Sequence, residues 1–190
     1  QASQILNLRY GPDGQCYMID WYDMQACHVA DPKRHDRSNG RIYKIVYGNS
    51  QSPAVDLAKL SDVELAGMVT HQNDWFVRHS RRLLQERAAS RALEPAAIEK
   101  LVSISASHAD ETRALRAAWV LHATGNDTPA LRSQWLSQTQ HPYLRGWSIQ
   151  FALESTPAEA GWLKQLVTLA ASETSPVVRL YLASAAQRLP

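Results

Sequence analysis

Cysteine is scarce in this sequence, and its scarcity excludes several kinds of protein. Only Cys16 and Cys27 occur among the 190 residues. Two cysteines cannot form the disulfide framework of a small secreted domain, and the sequence leaves open whether these two pair. The motif CxxCH is absent, which excludes a covalently attached c-type haem within this chain.

Long apolar runs are missing as well. No stretch of about eighteen consecutive apolar residues occurs, so the sequence predicts no membrane-spanning helix. The N-terminal region has no basic start followed by an apolar run and a small-residue cleavage site, so it predicts no signal peptide. Because the chain starts at Gln1 rather than at methionine, we expect it to be an excised piece of a longer protein.

A strong net charge is the third absence. The chain has 20 basic and 18 acidic residues, and its net charge of +2 points to no strongly charged partner. Hydrophobic residues at 45% and charged residues at 20% are typical of a soluble globular protein. One local cluster stands out, and it consists of Arg78, Arg81, Arg82, Arg87 and Arg91.

Residues 1–50 have the pattern of β-structure. Apolar and polar residues alternate, as in half-buried strands, and the turn sequences GPDG (11–14) and Asn39-Gly40 separate the runs. The predicted strands are ILNLRY (5–10), QCYMIDW (15–21) and RIYKIVYG (41–48). Three strands form a marginal sheet alone, so we expect this sheet to dock on the first helices. The side chains expected in that interface are Tyr17, Ile19, Trp21, Ile42 or Tyr43, against Leu57, Leu60 and Leu65.

Residues 51–190 begin with a Ser/Pro-bearing connector and continue with helical patterns. SDVE (61–64) predicts a capping box at a helix start, and TPAE (156–159) repeats it. Five prolines suit the first turn of a helix, where a missing N–H costs no hydrogen bond: Pro95, Pro129, Pro142, Pro157 and Pro176. Together these signals predict about eight helices of roughly 10–16 residues.

The helical part also contains a repeat. An aliphatic–arginine pair recurs near the start of every second helix, at Val77-Arg78, Leu115-Arg116, Leu144-Arg145 and Val178-Arg179, with arginines 38, 29 and 34 residues apart. A two-helix repeat of this length is typical of α-solenoids, whose hairpins bury their apolar faces against one another. We therefore expect a mainly α fold, a right-handed superhelix of about four hairpins, with the small antiparallel β element as its N-terminal cap.

These features resemble known families. The helical part resembles degenerate HEAT or armadillo repeats, on its aliphatic–arginine register and repeat length. LRYGPDGQCYMIDWYD, NGRIYKIVYG and NDWFVRHSRRLLQER resemble the last propeller blade and the following helices of planctomycete-type proteins. Those proteins are similar to quinoprotein sugar dehydrogenases and L-sorbosone dehydrogenases, and a cytochrome c domain often follows their HEAT-like repeats.

The resemblance implies an exported or periplasmic parent protein that oxidises a sugar or an alcohol. The implied cofactors of that parent are pyrroloquinoline quinone, calcium or haem c, and the implied partners of this chain are the propeller, a cytochrome c domain or another protein. A complete propeller needs at least four blades, whereas this chain contains about one. We therefore assign no catalytic and no cofactor-binding residue to it.

The stretch DWYDMQACH (20–28) gathers side chains that can bind metals. Asp20, Asp23, Cys27, His28 and the nearby His35 are all legitimate ligands. Structural zinc sites, however, have paired ligands at short fixed spacing, and no second Cys/His pair is present. We favour Asp20 and Asp23 as acceptors for backbone amides in the turn after a strand. A nucleophile–base pair of Cys27 and His28 is disfavoured, because adjacent residues on a strand point apart.

Arginines and tryptophans are the candidate interaction residues, and we single out Arg78, Arg82, Trp119 and Trp147. Arg78 and Arg82 share one helix face, where Glu86 can pair with Arg82 at i+4. We favour a solvated or repeat-supporting face over a nucleic-acid surface. The tryptophans at 75, 119, 135, 147 and 162 are expected to pack between helices, and any exposed one becomes a candidate for binding.

Three functions follow from these observations. The preferred one is a non-catalytic scaffold, the interaction region of a larger sugar dehydrogenase-like protein. The second is an enzyme fragment that keeps part of a quinone- or calcium-linked active site at DWYD. The third is a nucleic-acid-binding solenoid that uses Arg78–Arg91, against which the small net charge argues.

Overall fold

The computed structural model is mainly helical and has a small antiparallel sheet, as the sequence predicted. It describes residues 5–20, 31, 33, 38, 40–49, 51–154 and 160–188. Within these residues the strands are β1 (Ile5–Tyr10), β2 (Cys16–Asp20) and β3 (Arg41–Ile45). The α-helices described are α1 (Asp62–Gly67), α2 (Asp74–Ser90), α3 (Pro95–Ser107), α4 (Glu111–Ala123), α5 (Pro129–Leu136), α6 (Pro142–Ala152), α7 (Ala160–Ser172) and α8 (Pro176–Ala186).

The chain divides into two compact units. The first contains Gln1–Leu57 and His71–His79, so it holds the sheet and the beginning of α2. The second contains Ala58–Thr70 and Ser80–Pro190, so it holds the rest of the helices. In the described part of the chain, no helix is both long enough and apolar enough to cross a membrane.

In the first unit, the strand order is β1-β2-β3 and both pairs are antiparallel. The GPDG turn joins β1 to β2, and Gly14 has a φ of 74°, which favours glycine. Gly11 is needed for space, because a Cβ there would lie 2.2 Å from the Tyr17 ring. The Asn73 side-chain amide donates to the Gly11 carbonyl oxygen at 2.9 Å, which ties the turn to the residues before α2.

Asp13 links this turn to β3. Its carboxylate pairs with Lys44 and accepts hydrogen bonds from the Gln15 N–H at 3.1 Å and the Ser52 hydroxyl at 3.0 Å. The hydrogen bond from Lys44, more than any other contact, lowers the pKa of Asp13 to about 2. The sheet is therefore held at this end by polar contacts rather than by an apolar core.

The predicted burial of three sheet residues is wrong. Ile19, Ile42 and Tyr43 are 49%, 76% and 37% exposed. In the register of β2 and β3, Ile19 is paired with Ile42 and Met18 with Tyr43, so these residues lie on both faces of the sheet. Alternation assigns residues to faces but does not say which face is covered. Trp21 lies outside the described residues.

Local signals set the helix boundaries as predicted. In the capping box, the Glu64 N–H donates to Ser61 Oγ at 3.2 Å and the Ser61 N–H donates to Glu64 Oε2 at 2.8 Å. The first residues of α3, α5, α6 and α8 are Pro95, Pro129, Pro142 and Pro176. The second predicted capping box and Pro157, at 156–159, lie outside the described residues.

The helices of the second unit contact one another in a regular order. α3 packs on α4, α5 on α6, and α7 on α8, while α1 contacts α3, α4 contacts α6, and α6 contacts α8. Fully buried side chains between them include Leu101, Leu121, Trp135, Leu144 and Ile149. Burial of each such apolar side chain stabilises the fold by roughly 1.5–3 kcal/mol. We call α4, α6 and α8 the second helices, because each closes a hairpin.

Candidate functional site

The second helices carry a row of aromatic side chains in contact. Trp119 of α4 meets Trp147 of α6 edge to face, with ring centroids 5.3 Å apart. Trp147 also contacts Phe151 at 5.5 Å and Tyr181 of α8 at 6.3 Å. We call these four residues the aromatic layer. Such ring pairs contribute roughly 0.5–1.5 kcal/mol each beyond the area that they bury.

The contact between α6 and α8 depends on Gly146. A Cβ at this position would lie 2.5 Å from Cδ2 of Tyr181. The absence of a side chain therefore lets the Tyr181 ring lie directly against α6. Burial, with a smaller contribution from Tyr143, raises the pKa of the Tyr181 hydroxyl.

The aromatic layer is partly exposed. Phe151 is buried, whereas Trp119, Trp147 and Tyr181 are half-buried. Tyr143, one turn before Trp147 on α6, is 52% exposed and extends the aromatic surface. Large aromatic rings that are packed against neighbours and remain partly exposed are typical of anchor residues at protein interfaces.

A guanidinium group borders the aromatic layer. Arg81 of α2 lies over the Trp119 ring, with its Cζ atom 5.9 Å from the ring centroid. A cation–π contact at such a site is worth about 0.5–1 kcal/mol. The contact holds Arg81 beside the rings, so positive charge and aromatic surface are presented together.

His122 joins two hairpins next to this layer. Its Nδ1 lies 2.8 Å from Asp127 Oδ2, and its Nε2 lies 2.8 Å from Glu154 Oε2. The ring stacks on Phe151 with centroids 4.1 Å apart. Both ring nitrogens therefore lie within hydrogen-bond distance of a carboxylate oxygen, one before α5 and one after α6. Burial alone would raise the pKa of Glu154, but its hydrogen bonds from His122 and Gln150 lower it.

Asp62 forms a second polar contact between helices, and it binds two arginines of the cluster, Arg87 and Arg91. It is completely buried and accepts from Arg91 Nη1 at 2.7 Å, Arg87 Nη1 at 2.8 Å and the Glu94 N–H at 3.0 Å. The hydrogen bond from Arg91, ahead of that from Arg87, holds the pKa of Asp62 well below its usual range. Arg87 and Arg91 therefore support the structure.

The predicted interaction residues have different surroundings in the structure. It brings Trp119 and Trp147 together in the aromatic layer. Arg78 pairs with Asp74 on its own helix, with 3.1 Å between Nε and Oδ2. The predicted pair of Arg82 and Glu86 is confirmed, with 3.3 Å between Nε and Oε1. Both arginines are therefore partly neutralised by carboxylates of α2.

The other tryptophans behave differently from one another. Trp135 and Trp162 are 0% and 7% exposed, as expected for packing residues, whereas Trp75 is half-buried. Sequence reasoning missed Tyr181 and Gly146 as parts of the site. The position of Gly146, directly after the Leu144-Arg145 pair, could have drawn attention to it. Its contact with Tyr181, however, depends on how α6 packs on α8.

The predicted metal ligands are only partly described. Asp20 is 1% exposed, and Arg41 Nη1 lies 3.8 Å from its Oδ2. Among the residues that the structure describes, no three His, Cys, Asp or Glu side chains converge so that they could hold a metal ion. Asp23, Cys27, His28 and His35 lie outside those residues.

Comparison of the chain with protein-family models, with curated proteins and with solved structures finds no match in any of the three.

Proposed function

We propose that this chain is a non-catalytic helical-repeat scaffold, whose hairpins stack as a HEAT- or armadillo-like solenoid and whose aromatic layer receives a protein partner. The observation that carries the proposal is the row of contacting rings across α4, α6 and α8, of which Trp119, Trp147 and Tyr181 are partly exposed. Trp, Tyr and Arg are the residue types that dominate binding energy at protein interfaces.

The spacing of contacts along the chain supports the stacking. The first helices of successive hairpins begin at residues 62, 95, 129 and 160, so they start 33, 34 and 31 residues apart. Hydrogen bonds between hairpins join residues at nearly this distance: His122 with Glu154 and Glu111 with Tyr143 are 32 apart, and Ser105 with Trp135 is 30 apart. Equivalent contacts at a constant offset are what a stacked repeat requires.

The proposal extends to the parent protein, a propeller-containing sugar dehydrogenase-like protein in which this chain holds the propeller against a cytochrome domain or a partner. Its support is that LRYGPDGQCYMIDWYD and NGRIYKIVYG resemble the last propeller blade of such proteins. The enzyme-fragment alternative is decided by titrating calcium and pyrroloquinoline quinone into the chain and into Asp20→Ala. A flat calorimetric titration removes that alternative, and quinone-dependent oxidation of aldoses by the chain overturns the scaffold.

The scaffold is tested by selecting ligands from a random peptide library on the immobilised chain. We expect Trp147→Ala and Tyr143→Ala to weaken the selected peptides about tenfold or more, because anchor residues each contribute over about 1.4 kcal/mol. Leu180→Ala is the matched control, since Leu180 is 68% exposed on α8 but outside the aromatic layer. Binding of Trp147→Ala and Tyr143→Ala as tight as that of the wild type refutes the proposed role of the layer and of Tyr143 beside it.

A further inference from the structure

Charge is distributed unequally among the helices. α2 and the second helices α4, α6 and α8 together contain eight arginines and three acidic residues, whereas α1, α3, α5 and α7 contain three basic and three acidic residues. The excess of positive charge therefore lies on the helices that carry the aromatic layer.

The three acidic residues of α2, α4, α6 and α8 are all engaged within the chain. Asp74 pairs with Arg78, and Glu86 pairs with Arg82. Glu111 accepts the backbone N–H of Tyr143 at 2.6 Å and that of Leu144 at 3.3 Å, so it caps the start of α6. No carboxylate on these helices is left to neutralise a further cation.

The arginines are engaged unequally. Arg87 pairs with Asp62, and Arg145 pairs with Glu173. Within the described part of the chain, Arg81 makes its contact with the Trp119 ring and has no carboxylate partner. A guanidinium beside an accessible aromatic surface, with its hydrogen-bond donors unmatched by acids, is complementary to a carboxylate that arrives with an apolar group.

We propose that the aromatic layer binds an acidic peptide segment of a partner protein. A carboxylate of the segment pairs with Arg81, and an apolar side chain next to it packs on Trp147 and Tyr143. This inference rests on the proposed function, and it adds the chemical class of the partner. Single-stranded nucleic acid is the less favoured anion, because Arg78, Arg82 and Arg87 already pair with acidic side chains of the chain.

The test measures fluorescence anisotropy with a short labelled peptide of alternating glutamate and leucine, and with the same peptide carrying glutamine for glutamate. We expect the acidic peptide to bind about tenfold more tightly, with an advantage that shrinks as salt is added. Arg81→Gln should abolish this advantage. Arg179→Gln should leave it unchanged, because Arg179 is exposed on α8 and lies about 200° around that helix from Tyr181.

Three results overturn the inference. One is equal binding of the two peptides, with Trp147→Ala weakening both. This result supports the scaffold but refutes the preference for an acidic partner. The second is a charge advantage that survives Arg81→Gln while Arg179→Gln removes it. The third is tighter binding of a labelled single-stranded oligonucleotide that competes with the acidic peptide, which assigns the surface to nucleic acid.

Discussion

Arg145 and Glu173 form a buried ion pair between two hairpins, with their side chains 8% and 4% exposed. Arg145 belongs to α6 and also donates from Nε to the Leu136 carbonyl oxygen at 2.9 Å. Glu173 precedes α8 and accepts the Ser175 N–H at 2.7 Å. One pair thus fixes the end of α5, the start of α6 and the start of α8.

Removal of one partner from this pair should be costly. Because the remaining charge would be buried without compensation, we expect Arg145→Met to lower the free energy of unfolding by roughly 3–5 kcal/mol. Urea denaturation followed by circular dichroism measures it. Arg179→Met is the control, since it changes the arginine of the same repeat motif at an exposed position. A loss at Arg145 no larger than at Arg179 contradicts the structural role.

Gly146 should tolerate no side chain. The Cβ of Gly146→Ala would overlap the Tyr181 ring, and overpacking of this kind costs about 1–3 kcal/mol. Gly161→Ala in α7 is the matched control, because among the described residues a Cβ there would meet no side chain and no other helix within 4 Å. We expect that control to be neutral or stabilising, since alanine is the better helix former. Thermal denaturation of both variants compares them, and equal melting temperatures would be inconsistent with the packing of α6 on α8.

A double-mutant cycle should reveal a coupling free energy between His122 and Glu154. His122 is partly exposed, so we expect His122→Gln and Glu154→Gln each to cost only about 1 kcal/mol, with a coupling of similar size between them. Chemical denaturation of the wild type, both single variants and the double variant gives the coupling. Additive losses mean that the two side chains do not interact in solution.

The contacts of Asp13 should weaken in acid. Its pKa is lowered from 3.8 to about 2, so the folded chain favours the carboxylate. A group with a depressed folded pKa contributes stability above its unfolded pKa and loses it as the pH falls through the folded value. We expect the contribution of Asp13 to fall between about pH 4 and pH 2. Carboxyl NMR of the chain measures this titration, and a midpoint near pH 4 contradicts the pairing with Lys44. Asp13→Asn should lack the transition.

Local features of the fold were predictable from the sequence, because their causes lie within a few residues. Pro95 and Pro129 begin helices as expected, and Ser61 with Glu64 forms the expected capping box. Which face of the sheet is buried was not predictable. The alternation of apolar and polar residues assigns Ile19 and Ile42 to a face, but it does not say whether other residues pack on that face. The stacking of hairpins stays a prediction that the contact spacing supports.

The candidate site was predictable in part for a similar reason. Trp119 and Trp147 stood out by residue type, and the structure brings them into contact. Arg81 was visible only as one member of an arginine cluster, and its place over Trp119 follows from how two helices pack. Residues that act through contacts between helices cannot be identified from spacing within one helix.

We propose that the second helices bind a partner through their aromatic layer. Hydrogen exchange of the chain with and without a library-selected peptide tests it most directly. We expect slower exchange on binding in α4, α6 and α8, with no change in α3 and α5. Protection confined to the first helices, or to the sheet, would contradict it.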